Sequence, residues 1–211
     1  MPHRIFDRSR LRLRPLAERQ SDLTRDVLIF PDAPYEQSSD PALPILVGDD
    51  CFVKGIRRGI EQLRGHLSEA GIPLALTWGA DAHVSPDLLP RLKAGTVPSL
   101  NDSRYFLLEP PHHVAPPQFD SFVFSLLAAG YVPVITHPER LSWIDDHYDT
   151  FCSLSDKGAW MQVTAGALTG RFGKGARYWG ERMMDEGRVD ILATDAHHPQ
   201  RRPPLLAQGR E

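Results

Sequence analysis

The segment Val132-Pro133-Val134-Ile135-Thr136-His137-Pro138-Glu139-Arg140 joins a short apolar run, rich in β-branched residues, to a histidine and then an arginine. This pattern is typical of a buried strand that delivers one side chain to the rim of a sheet. A histidine in that position can serve as a metal ligand or as a base. Because a lone histidine at a strand end is more often a structural residue, the rest of the chain has to decide its role.

Three other apolar runs also end in groups that bind metals. Residues 74–80 lead into Asp81, residues 105–108 into Glu109, and residues 189–194 into Asp195, with His197 two residues further. In a barrel or sheet of parallel strands the carboxyl ends meet at one face, so we expect these side chains to converge. Converging carboxylates repel one another unless a cation lies between them, and carboxylates with imidazoles suit Mn, Fe or Zn. The alternative is that the same residues are ordinary polar groups near loops.

Length and composition limit the possible classes of protein. With 211 residues and 41% hydrophobic content, the chain is long enough for one sizeable core. The net charge of -3 gives no electrostatic support for a nucleic-acid partner or an anionic membrane surface. No apolar run approaches the roughly 20 residues of a membrane span, and no apolar signal-peptide core is present. We therefore expect a cytoplasmic protein that does not insert into a membrane, with free thiols at Cys51 and Cys152.

The chain divides near residue 50. Residues 1–50 begin with arginine-rich sequence and continue with a stretch rich in Pro, Ser and Asp, which predicts a divergent, poorly ordered segment. A basic arm that binds a polyanion is the alternative. In residues 51–211, strand and helix patterns alternate five times at intervals of roughly 25 to 30 residues, which favours parallel βαβ units in one domain.

Local signals give the expected helices. Residues 53–70 have apolar side chains at helical spacing. Ser85 is the expected N-cap of a helix that runs to about Lys93 and is closed by Gly95. Further helices are predicted over residues 119–129, 149–157 and 173–186. We expect the adjacent His112 and His113 to be rim residues, because neighbouring side chains tend to point apart.

Several motifs resemble one known family. They are Gly79-Ala80-Asp81, Leu100-Asn101-Asp102-Ser103-Arg104-Tyr105 with Glu109, the segment from Pro133 to Arg140, Ala193-Thr194-Asp195-Ala196-His197 and Arg202-Pro203-Pro204. In this order and spacing they resemble the bacterial manganese-dependent protein tyrosine phosphatases of the PHP (polymerase and histidinol phosphatase) superfamily. Those proteins accompany capsule and exopolysaccharide export clusters. The resemblance covers residues 52–206, and no glycine-rich phosphate loop or serine nucleophile elbow points elsewhere.

The resemblance implies a distorted (β/α)7 TIM-like barrel, incomplete or divergent at its N-terminus, with metals at the carboxyl rim. It implies hydrolysis of phosphotyrosine by a metal-activated water. The implied metal ligands, for Mn2+, are Asp81, Glu109, His137, Asp195 and His197. The implied phosphate-binding residues are Arg140 and Arg202, and the implied catalytic residues are Arg140, Asp195 and His197. The expected partner is a phosphotyrosine protein, namely the cytoplasmic tail of a bacterial tyrosine kinase. An oligomeric state of the chain is left open.

Two motifs of that family are missing from this chain. There is no His-x-His pair near the N-terminus, and where Thr-Pro-His would fall the sequence reads Leu43-Pro44-Ile45. Because each ligand contributes to metal affinity, we expect fewer bound ions and reduced activity. Two alternatives follow: a catalytically dead module that binds phosphotyrosine, or a PHP phosphoesterase that acts on a small phosphate monoester.

Overall fold

The computed structural model describes residues 49–74, 76–196 and 206, with side chains from Lys54 onward. The described residues form an α/β fold around a five-stranded sheet with the order β1-β2-β3-β4-β5. Every neighbouring pair of strands is parallel. The predicted α/β class with a parallel sheet is therefore confirmed. Residues 1–48, which include most of the segment predicted to be poorly ordered, lie outside the described part.

The strands are β1 (Asp81–His83), β2 (Tyr105–Glu109), β3 (Val132–Thr136), β4 (Trp160–Thr164) and β5 (Ile191–Ala193). The helices are α1 (Asp49–Glu69), α2 (Leu88–Ala94), α3 (Phe119–Ala128), α4 (Ile144–Asp156), α5 (Ala165–Leu168) and α6 (Gly173–Asp185). Short 3-10 turns lie at Leu100–Asp102 and Pro138–Arg140. No helix in the described ranges is both long and apolar enough to cross a membrane.

Both faces of the sheet are buried. On β2 the side chains alternate, with Phe106 and Leu108 in one core cluster and Tyr105 and Leu107 in the other. Helices α2, α3, α4 and α6 all contribute buried residues to the first, larger cluster. The second, smaller cluster is built mainly from strand residues. Strands buried on both faces read as continuous apolar runs, which is why β2 and β3 were recognisable in the sequence.

The strand register brings the carboxyl ends of the strands to one edge. His83 lies opposite Glu109, Leu108 opposite Ile135, and Thr136 opposite Gln162. Thr164, the last residue of β4, lies opposite Ala193, the last residue of β5. The residues that end or follow these strands are therefore neighbours, as the sequence predicted for a parallel sheet.

The prediction for the first strand was wrong by several residues. Residues 76–80 form no strand, although all of them except the half-buried Trp78 are buried, and Asp81 begins β1 instead of following it. The backbone of the earlier residues pairs with the loop before β2: Ala80 N–H donates to Pro98 O at 3.2 Å, and Asn101 N–H donates to Trp78 O at 2.8 Å. An apolar run shows that a segment is buried, but it does not show which backbone it pairs with.

The five predicted helices are present, and three of them start at residues other than those predicted. Helix α1 begins at Asp49, ahead of the predicted residue 53. Helix α2 begins at Leu88, with Asp87 and not Ser85 as its N-cap. The hydroxyl of Ser85 hydrogen-bonds the carboxylate of Asp87, which lowers the pKa of that carboxyl group. Gly95 closes α2 in the left-handed conformation, as predicted. Helix α4 begins at Ile144, earlier than the predicted residue 149.

Candidate active site

The turn after β3 positions the central residues of the site. His137 has left-handed backbone angles, φ 36° and ψ 49°, although it precedes a proline. This conformation is costly for a non-glycine residue, and more so before proline, so neighbouring contacts have to hold it. The N–H of His137 donates to Gln162 O at 2.9 Å, and the N–H of Arg140 donates to His137 O at 3.0 Å. The turn thus buries the imidazole and presents Arg140 beside it.

Three side chains at the strand ends form a group that can hold a metal ion: Glu109, His112 and His137. One candidate ligand atom from each lies within 4.8 Å of the others. Glu109 Oε1 is 3.1 Å from His137 Nε2 and 3.7 Å from His112 Nε2. The two imidazole rings are stacked, with centroids 4.9 Å apart. We call these three residues the metal-candidate group.

Electrostatics favours metal-binding protonation states in this group. The hydrogen bond with His137 lowers the pKa of Glu109 and outweighs the opposite effect of burial. Burial lowers the pKa of His112, and the positive charge of Arg140 adds to the effect. A metal ligand has to be an ionised carboxylate or a neutral imidazole. Both shifts therefore keep these side chains ready to bind a cation near neutral pH.

A pocket beside the metal-candidate group contains a guanidinium. Arg140 Nη1 donates to Asp195 Oδ2, and both side chains are largely buried. The guanidinium carbon lies 4.4 Å from the centroid of the Phe172 ring. The pocket, about 430 Å3, is also lined by His112 and Trp179. We call it the arginine pocket; its fixed, oriented guanidinium suits an anion with several oxygens.

A buried carboxyl group secures the turn. Glu139 is 1% exposed, and its Oε1 accepts a hydrogen bond from the N–H of Thr164 at 2.9 Å. Burial raises the pKa of this carboxyl group to about 7. The contact ties the turn after β3 to the end of β4, and so helps to place His137 and Arg140 on either side of Glu139.

The structure brings together only some of the predicted ligands. Glu109 and His137 meet as predicted. Asp195 lies close by, but its carboxylate pairs with Arg140, and Asp81 lies at the start of β1, opposite Leu107. His197 and Arg202 fall outside the described residues, so their predicted roles stay predictions. The same holds for the expected loss of ligands from residues 1–48.

His112 belongs to the metal-candidate group, although the sequence indicated only a rim residue. It follows Glu109 by three residues, beyond Pro110 and Pro111, and its ring is partly buried while that of His113 is exposed. His83 Nδ1 also lies 3.3 Å from Glu109 Oε2, but its side chain is 75% exposed. The spacing of three residues between Glu109 and His112 was the available signal. It was weak because the path of the backbone through two prolines could not be read from the sequence.

Comparison with known families agrees with this geometry. Residues 49–211 match the model of the family described as capsular polysaccharide synthesis, CpsB/CapC. The chain belongs to the CpsB/CapC family. The match begins at the first residue of α1 and includes every residue of the metal-candidate group and of the arginine pocket.

Relatives within the CpsB/CapC family are tyrosine-protein phosphatases by name. The chain is 32% identical over 147 residues to tyrosine-protein phosphatase YwqE of Bacillus subtilis, covering 70% of this chain and 58% of YwqE. It is 31% identical over 157 residues to tyrosine-protein phosphatase CpsB of Streptococcus pneumoniae, covering 70% of this chain and 63% of that protein. A third relative is the CapC protein of Staphylococcus aureus, which is provisionally named a tyrosine-protein phosphatase. The chain is 26% identical to it over 193 residues, which cover 92% of this chain and 71% of CapC.

A solved structure gives the same result for the fold. It comes from the crystal structures of YwqE and pneumococcal CpsB, described as unique metal-dependent tyrosine phosphatases. The TM-score is 0.67 at 30% identity, over 73% of this chain and 62% of the other. This CpsB/CapC chain thus spans less than two thirds of YwqE and of pneumococcal CpsB.

Proposed function

We propose that this chain is a metal-dependent phosphotyrosine-protein phosphatase that acts in the regulation of capsule and exopolysaccharide synthesis. One observation carries the proposal: a group suited to a cation and a pocket suited to an anion lie side by side. His137 of the metal-candidate group and Arg140 of the arginine pocket are held by the same turn. A phosphate ester in the pocket would contact the guanidinium and face the metal-candidate group.

The donor set of the metal-candidate group fits a divalent transition metal. One carboxylate and two imidazoles suit Mn, Fe or Zn better than Ca or Mg. The buried Nδ1 of His137 has no hydrogen-bond partner among the described residues, and such an atom usually binds a water or another group. Our proposal is Mn2+, with Asp81, Asp195 and His197 as further ligands.

A bound divalent cation would lower the pKa of water and neutralise charge that develops on phosphorus. The residues of the chain would supply binding and orientation. Arg140 would hold two phosphate oxygens through its planar fork of donors, and Arg202 would assist it. Asp195 accepts a hydrogen bond from Arg140 and so fixes the direction of that fork. With these roles, Arg140, Asp195 and His197 are the proposed catalytic residues.

We also propose that the complete fold is a distorted (β/α)7 barrel of the PHP type, with its domain over residues 51–211 and a divergent segment at 1–50. The strand order never reverses, whereas in a doubly wound sheet it does. Among the described residues, the α-helices that contribute buried side chains to a core cluster all contribute to the larger one. This fits a layer of helices on one face of the sheet.

The proposed partner is a phosphotyrosine protein, the cytoplasmic tail of a bacterial tyrosine kinase, which implies a cytoplasmic location. The support is the family, whose named members are tyrosine-protein phosphatases of capsular polysaccharide synthesis. A kinase tail would have to reach the carboxyl rim of the sheet, which is the face where barrels of this kind carry their active sites.

Hydrolysis of a phosphotyrosine peptide tests the proposed function. The full chain is treated with a chelator, then assayed with and without added Mn2+, and the variant Arg140→Lys is assayed in parallel. We expect turnover that requires Mn2+ and a kcat/KM at least about tenfold lower in the variant, because lysine cannot make the bidentate contact. Peptide binding without turnover would favour the dead binding module. Turnover of small phosphate monoesters alone would favour the small-molecule phosphoesterase.

A further inference from the structure

The aromatic ring in the wall of the arginine pocket has a role that the proposed hydrolysis does not require. We infer that Phe172 is a specificity residue: it packs against the aryl ring of the substrate and selects aryl phosphates, such as phosphotyrosine, over alkyl phosphates, such as phosphoserine. The inference rests on the proposed phosphate site at Arg140.

The position of Phe172 relative to Arg140 is the first observation. The ring centroid is 4.4 Å from the guanidinium carbon, and both side chains line the same pocket. In an aryl phosphate the ring is separated from phosphorus by a single ester oxygen. A phosphate held by Arg140 would therefore bring the substrate ring next to Phe172. Aromatic pairs favour edge-to-face or offset contacts at centroid distances of about 4.5–7 Å.

The second observation is that the backbone leaves room for this ring. A Cβ atom added at Gly166 would lie 2.9 Å from Phe172 Cε2, closer than real Cβ contacts allow. Glycine at this position on α5 thus lets the ring pack directly on the backbone. A ring seated in this way is fixed in place before a ligand arrives, which lowers the entropic cost of binding.

The remaining walls of the pocket combine apolar and polar side chains. Leu141, Ala176 and Trp179 line it as nearly buried residues, 2%, 8% and 8% exposed, beside the polar Ser142 and Asp145. The indole N–H of Trp179 donates to Asp145, so this carboxylate is already paired. A volume of about 430 Å3 accommodates a phenyl ring together with its phosphate. An alkyl phosphate would use Arg140 but would bring no ring to pack against Phe172.

Two variants separate a specificity role from a supporting one. Phe172→Leu keeps the apolar volume and removes the aromatic ring, whereas Gly166→Ala keeps the ring and displaces it. If Phe172 only supports Arg140, both variants weaken aryl and alkyl ligands equally. If it selects the ring, the preference for aryl ligands falls about fivefold or more while alkyl binding changes little. Phe124→Leu, which removes a ring that is 56% exposed on α3, is the control.

The test measures binding of phenylphosphonate and ethylphosphonate to the full chain by calorimetry, alongside hydrolysis of phosphotyrosine and phosphoserine versions of one peptide. We expect the wild type and Phe124→Leu to prefer the phenyl ligand and Phe172→Leu and Gly166→Ala to lose that preference. Equal affinities in the wild type, or an unchanged ratio in Phe172→Leu, would overturn the inference. Selective phenylphosphonate binding without any hydrolysis would support it and would refute the proposed enzymatic activity.

Discussion

His137 combines an uncommon backbone conformation with a buried, metal-competent side chain. Its left-handed angles before a proline are held by hydrogen bonds to Gln162 and Arg140. Strain of this kind persists where surrounding contacts fix it, and it is frequent at functional sites. The same turn directs Nε2 toward Glu109.

Replacing His137 by alanine tests its assignment as a ligand. We expect the affinity for Mn2+ to fall by more than about 100-fold and metal-dependent hydrolysis to be abolished, because the variant loses one of three converging ligands. Calorimetric titration of the chelator-treated protein measures the affinity. His66→Ala, which removes an exposed histidine in the last turn of α1, is the matched control. Equal Mn2+ affinity in His137→Ala and the wild type would remove His137 from the site.

Glu139 predicts a pH dependence of stability. Because burial raises its pKa from 4.5 to about 7, the folded chain holds a proton that the unfolded chain releases. The resulting stabilisation is complete below about pH 4.5 and is lost as the pH rises through 7, by up to about 3 kcal/mol. Glu139→Gln should remove this dependence, since a neutral amide does not ionise.

Urea denaturation between pH 5 and pH 8, in a buffer that contains a chelator, measures this effect. The free energy of unfolding of the wild type should fall relative to that of Glu139→Gln as the pH rises. Glu69→Gln, at an exposed position on α1, should follow the wild type. Parallel curves for the wild type and Glu139→Gln would show that Glu139 does not hold the proton.

At the residue scale, the sequence predicted those site residues that end or directly follow an apolar run. Glu109 and His137 were identifiable because β2 and β3 are buried on both faces and read as continuous apolar segments. His112 was missed because its position depends on how the chain bends after Glu109. Phe172 was missed because its contact with Arg140 joins two elements that are distant in the sequence.

At the scale of elements, glycine and the apolar spacing set the helix ends and faces. Gly95 ends α2 at φ 70°, a conformation that only glycine adopts without cost. In α1, Ile60 is buried and Ile56, Leu63 and Leu67 are partly buried, as the spacing predicted. The start of α2 was not predictable, because Ser85 and Asp87 are both good caps and only the local turn decides between them.

Alanine substitutions at two glycines distinguish the effect of backbone strain on stability from that of helix propensity. An added Cβ at Gly95 or at Gly59, in the middle of α1, would meet nothing within 4 Å. We therefore expect Gly95→Ala to destabilise the fold by about 1 kcal/mol, through strain alone. Gly59→Ala should stabilise it by about 0.5–1 kcal/mol through helix propensity. Urea denaturation measures both; a stability change of the same sign in the two variants would contradict this assignment.

At the scale of the whole molecule, parallel pairing places the candidate site at one edge of the sheet. The alternation of strand and helix patterns was enough to predict a parallel α/β fold. It was not enough to show that residues 76–80 pair with the loop before β2, because hydrogen-bond partners distant in the sequence leave no periodic signal. The convergence of Glu109, His112 and His137 is a property of this register and is tested only by a measurement on the folded chain.

Pulsed electron paramagnetic resonance of bound Mn2+ is that measurement, because it detects nitrogen atoms coordinated directly to the ion. With the wild type we predict 14N modulation from imidazole ligands, weaker modulation in His112→Ala and in His137→Ala, and no change in His66→Ala. A wild-type spectrum without 14N modulation, or one that neither variant alters, would contradict the assignment of Glu109, His112 and His137 as the metal site.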